Sequence, residues 1–152
     1  MNFLPEDGLS FLLKLMGAFL LALPVAWDRE KSTRIMGLRT FPLVAVASCA
    51  YVLIALNVLS NDQDAQARIV QGLITGIGFI GGGAILKQGD GNVRGTATAV
   101  SVWTTGAVGI AVAYGRFEIG IIVSMINFLA LRILTPIERD MEKDSENSQE
   151  KD

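Results

Sequence analysis

The chain has 152 residues, a length suited to one domain, with 51% hydrophobic and 18% charged residues and a net charge of −2. That balance leaves no basic footprint for nucleic acid, and the lack of histidine beside a single cysteine excludes a Cys/His zinc site and an intramolecular disulfide. The distribution is more telling: charges gather in short islands, separated by apolar stretches of roughly 20 residues, enough to cross about 30 Å of hydrocarbon.

The fold class expected from this pattern is all-α, a polytopic transmembrane helix bundle of about five spans. The first runs from about residue 8 to 27. Glu6 and Asp7 stand where a secretory signal would carry positive charge, so this run is expected to remain as a membrane helix. Lys14 lies near its outer end, where it can snorkel. The second span covers about residues 41–59 and contains Cys49, read as a small buried hydrophobe.

The third span, about residues 69–86, carries Gly72, Gly76, Gly78, Gly81, Gly82 and Gly83. At 100° per residue, Leu73, Ile77, Ile80 and Ala84 form one stripe. Gly72, Gly76 and Gly83 form another, with Thr75 and Gly82 beside them. The expectation is that lipid meets the first stripe and neighbouring helices the second, Gly72 and Gly76 forming a G-x-x-x-G pair. Replacing Gly76 by leucine should then disturb packing. A second reading has Gly81-Gly82-Gly83 unwinding to present backbone groups to an ion. The G-K-[ST] order of a nucleotide-binding loop is absent.

The fourth span, about residues 96–114, places Thr98, Ser101 and Thr105 with Gly109 on one face, expected to turn inward for hydrogen bonding or to line a hydrated path. The fifth, about residues 117–135, carries Asn127 mid-span as an interhelical hydrogen-bonding residue, with Ser124 one turn away. Residues 1–135 thus form the transmembrane domain, and residues 136–152 an acidic tail expected to be disordered after a turn or two of helix. Pro136 suggests where the fifth span stops.

The flanking charges suggest an orientation. Arg29, Lys31, Arg34 and Arg39 occupy the first loop, Lys87 and Arg94 the third, and Arg132, Arg139, Lys143 and Lys151 the last-span end and tail. Opposite them stand Arg68 and Arg116. The N-terminus is therefore expected outside and the C-terminus in the cytoplasm. Asp28, Arg29, Glu30, Arg39 and Arg94 are the candidate functional charged cluster, with Asp28 and Glu30 expected to pair with Arg39 or Arg94. No Asp or Glu falls deep inside a span, which argues against a proton relay or an intramembrane cation site. No metal, cofactor or catalytic constellation is expected.

Three blocks resemble the MgtC/SapB family of bacterial inner-membrane proteins. They are Asp28-Arg29-Glu30 with Gly37-Leu38-Arg39-Thr40, then Gly76 through Leu86, then Val93-Arg94-Gly95-Thr96-Ala97-Thr98-Ala99 leading to Trp103 and Gly106. The resemblance spans about residues 10–115. This chain has Ala26-Trp27-Asp28 where the family usually has Gly-Leu-Glu, and it carries an acidic tail where many members carry a soluble domain. The resemblance implies a multi-pass protein of the bacterial inner membrane, linked to growth at low magnesium and, in pathogens, to survival inside host phagocytes. It also implies action on other membrane machinery, including the ATP synthase.

The function expected is therefore a non-enzymatic regulatory or accessory membrane protein, acting through helix–helix contacts in the bilayer. Its partners would be the lipid bilayer, another membrane protein or a second copy of itself. The alternative is a transporter or channel for magnesium or another small ion.

Overall fold

The computed structural model describes the backbone of residues 5–32, 36–87 and 93–149, with side chains described for residues 8–32, 36–87 and 93–135. Arg34 lies outside these residues, as do the side chains of Arg139, Lys143 and Lys151. In chain order the elements are α1 (Pro5–Ser32), α2 (Thr40–Val58), α3 (Gln63–Gly82), β1 (Leu86–Lys87), β2 (Val93–Arg94), α4 (Thr96–Ala113) and α5 (Phe117–Gln149).

The fold is an all-α bundle in which α1, α2, α4 and α5 each contain a stretch long and apolar enough to cross a membrane. The third helix meets that description only in part. It begins at Gln63, because Asp62 caps it by accepting from the Ala65 N–H at 2.8 Å and Gln66 Nε2 donates back to the Leu59 carbonyl at 2.8 Å. It ends at Gly82 rather than continuing to Leu86. Its apolar part, from Ile69 onward, is about 21 Å long, short of the roughly 30 Å of a bilayer core. Leu86 and Lys87 instead pair antiparallel with Arg94 and Val93 in a small hairpin.

Helix α4 sits at the centre and packs against each of the other four helices. Small side chains make this possible. A Cβ on Gly109 would collide with the Ala45 carbonyl oxygen, and one on Gly106 with the Ile77 side chain. The core forms two layers, the first of them built mostly from small residues. One gathers Ala18, Ala22, Ala45, Cys49, Val52, Val112 and Ala113, and the other Val25, Ala26, Phe41, Val44, Ile77, Val102 and Leu131. Within lipid such contacts hold by dispersion and close approach, since lipid tails are as apolar as the side chains they replace.

The turn between α4 and α5 is set by Gly115, at φ 74°. Its N–H bonds the Val112 carbonyl at 2.9 Å, and the Arg116 N–H bonds that of Ala111 at 2.9 Å, a Schellman closure that needs the left-handed residue. A Cβ on Gly17 would meet Phe117, and Ser124 Oγ donates to the Leu21 carbonyl at 2.6 Å. Helices α1 and α5 therefore run in the same direction, and the bundle alternates up and down between them. From residue 136 onward the backbone continues α5 as helix to Gln149, with Pro136 inside it.

Candidate functional site

The apolar stripe and the glycine stripe of α3 face the reverse of the directions expected from the sequence. Ile77 is buried and Leu73 packs against both core layers. Gly72, Gly76, Gly78 and Gly82 have no atom within 4 Å of where a Cβ would stand. Among the α3 glycines, Gly81 is the packing residue: a Cβ there would lie 2.9 Å from the Ala99 carbonyl oxygen. Gly81 and Gly82 are helical, and Gly83 caps the helix, its N–H donating to the Phe79 carbonyl at 3.1 Å. Substitution at Gly76 thus meets open space, not a neighbouring helix.

The open glycines point two ways. At 100° per residue, the Gly72/Gly76 pair and the Gly78/Gly82 pair lie about 120° apart around the helix. Gly72 and Gly76 line a groove against α2. Gly78 and Gly82 share the other open face with Gln71 and Thr75, and Phe79, 86% exposed, falls between the two faces.

The charged residues separate into two sets. Arg29 is 2% exposed and binds Asp28 Oδ2 through Nη2 at 2.6 Å and Nε at 3.2 Å. Glu30 accepts from the Leu38 N–H at 3.1 Å, and a Cβ on Gly37 would strike the Glu30 side chain. The Gly37 carbonyl in turn receives the Thr40 and Phe41 N–H groups at 3.0 and 3.2 Å. The expected pairing of Asp28 and Glu30 with Arg39 or Arg94 is not formed. A loop N–H that lacks a ladder partner must be satisfied, whereas an exposed ion pair contributes little. Arg39, flanking α2, and Arg94, on β2, are both exposed.

The polar residues of α4 and α5 meet inside the bundle. Asn127 Nδ2 donates to Thr104 Oγ1 at 2.6 Å, and Asn127 Oδ1 lies 3.0 Å from Ser101 Oγ. Ser101 and Thr105 also reach the carbonyls one turn back, Ala97 at 2.7 Å and Ser101 at 2.8 Å. Thr98 is fully buried, and its Oγ1 has no partner among the described residues. Lys14 Nζ donates to the Ala113 carbonyl at 3.0 Å, at the negative C-terminal end of α4, beside the turn into α5. Thr104 and Lys14 escaped the sequence reading of the polar contacts. Thr104 could have been placed by its position beside Ser101 and Thr105, whereas Lys14 gave no such cue.

A model of the MgtC family matches residues 15–140, from the first half of α1 to the far part of α5. The chain belongs to the MgtC family. Among its relatives, SrpB of Synechococcus elongatus is 33% identical over 143 residues, covering 85% of this chain and 78% of SrpB. The uncharacterised protein slr0014 of Synechocystis is 36% identical over 126 residues, 83% of this chain and 53% of that one. Protein MgtC of Salmonella typhimurium is 32% identical over 116 residues, 76% of this chain and 48% of MgtC. The chain thus spans about half the length of the latter two. No solved structure matches it. Membership in the MgtC family and the four apolar helices make this a multi-pass membrane protein.

Proposed function

We propose that this MgtC-family chain is a non-enzymatic accessory or regulatory protein of the bacterial inner membrane, acting by helix–helix contact with another membrane protein. The observation carrying this reading is the open face of α3. Gly78 and Gly82 form a G-x-x-x-G pair with no described residue against them, and Thr75 on the same face bonds its own helix, at the Gln71 carbonyl 3.0 Å away. A helix from another protein can approach such a face to backbone distance. The flanking charges favour an orientation with the N-terminus outside and the C-terminus cytoplasmic. Through the family, the process served would be adaptation to low magnesium.

Transport of magnesium or another ion is the competing reading, and it needs a wet path between the glycine and hydroxyl faces. Ser101 and Thr105 instead lie buried in the packed centre and bond their own helix. The test is a photo-crosslinking residue in place of Phe79 in native membranes. A discrete protein adduct that disappears when Gly78→Leu is added supports the proposal. Adducts to lipid alone, or a protein pattern unchanged by Gly78→Leu, would overturn it. Ion flux above an empty-vesicle control from purified protein in liposomes would favour transport.

A further inference from the structure

Between α2 and α3 the described residues enclose a groove of about 690 Å³. Leu43, Ala47 and Tyr51 form one wall, and Leu73 belongs to the other. Gly72 and Gly76 widen it, because no side chain projects from either. Measured along α2 from Thr40 to Tyr51, the groove is about 17 Å long. Its lining is mostly apolar: Arg39 and Thr40 stand at one end and Tyr51 at the other, and Ser48 between them donates its hydroxyl to the Val44 carbonyl at 2.7 Å. Arg39 is exposed and directly precedes the apolar run of α2, a position at the level of lipid headgroups. No described residue forms an ion pair or hydrogen bond with its guanidinium.

We infer that this groove binds an anionic glycerophospholipid of the surrounding bilayer, with an acyl chain along Gly72 and Gly76 and the headgroup phosphate on Arg39. Charge complementarity selects this occupant: a mostly apolar groove with one cation at the interface matches a molecule with a long apolar tail and a single anionic head. A guanidinium meets phosphate oxygens with paired, charge-assisted hydrogen bonds. This site uses a different face of α3 from the partner contact proposed above, so either can fail without the other.

The experiment is native mass spectrometry of the full chain in detergent, titrated with phosphatidylglycerol and with phosphatidylcholine bearing the same acyl chains. Retention of phosphatidylglycerol about tenfold stronger than of phosphatidylcholine is expected, the worth of one charge-assisted contact. Arg39→Gln should bring the two lipids level. Gly76→Leu should weaken both by about tenfold or more by filling the groove. Circular dichroism and a monodisperse elution check that each variant is folded. If Gly76→Leu does not fold, Ala47→Leu fills the groove from the exposed side of α2 and makes the same test. Equal retention of the two lipids by the native chain, or undiminished retention in the groove-filling variants, would overturn the inference. So would a dimer that forms without lipid and is lost on filling the groove.

Discussion

The same substitution, glycine to alanine, should have opposite effects at Gly76 and Gly109. In each case the helix gains about 1 kcal/mol of intrinsic preference, because alanine loses less backbone freedom than glycine. At Gly76 nothing stands within 4 Å of the new methyl, so the gain survives. At Gly109 the methyl is driven into the Ala45 carbonyl oxygen and 2.8 Å from Ser48 Cβ, where α2 and α4 cross. A backbone carbonyl held in its own helix cannot step aside as a side-chain tip can. Overpacking of this kind costs about 1–3 kcal/mol, and since the propensity gain is common to both, that cost is the difference between the variants. Gly106→Ala should fall between them, because the group it meets is the flexible end of Ile77. Unfolding of the detergent-solubilised protein by titrated SDS, followed by circular dichroism, measures the three. The reasoning is refuted if Gly76→Ala proves the most damaging, or if all three shift alike.

Other outcomes follow from single contacts. Asn127→Ala should lower stability by about 1–2 kcal/mol, since interhelical side-chain bonds in lipid average about 0.6 kcal/mol with a maximum near 1.7. Ser101 and Thr104 keep carbonyl partners at 2.7 and 3.0 Å, so a loss above about 4 kcal/mol in the same titration would contradict the assigned network. Glu30→Ala should cost about 1 kcal/mol and speed hydrogen exchange at the Leu38 amide, while α4 amides stay protected; unchanged exchange at Leu38 would refute the contact. Gly115→Ala should cost about 1–2 kcal/mol through its φ of 74° alone, and Gly115→Asn less, both read from the SDS midpoint.

The helices were legible because hydrocarbon thickness imposes a length that composition reveals, and four of the expected spans agree with α1, α2, α4 and α5 within a few residues apart from helical extensions into the flanks. The ends of α3 were not. Its start depends on the Asp62 cap, and its finish on Gly83 and Ala84 turning toward the hairpin, both local contacts invisible to an apolar count. Which face turned inward was also hidden. In water an apolar stripe marks the core, but in lipid an apolar side chain is equally at home facing tails or neighbours, so Leu73 and Ile77 carried no directional signal. The better cue lay in α4, where Ser101, Thr105 and Gly109 recur every four residues, the small-residue spacing of a helix packed at backbone distance.

That spacing bears on why α3 keeps its glycines at all. Gly72, Gly76, Gly78 and Gly82 together cost on the order of 4 kcal/mol of helix preference relative to alanine, by the scale for water. Among the described residues none of the four is required by a close approach, since each would accept a Cβ without contact. Gly81, Gly106 and Gly109 are different, for there a methyl group meets a neighbouring element. No contact among the described residues compensates that cost, and the proposed lipid and partner helix would do so. On the two proposals made above, the α2 groove would take a lipid tail and the Thr75 face a partner helix. A quadruple alanine variant that is more stable in detergent yet loses both lipid retention and the crosslinked partner is the outcome this argument requires.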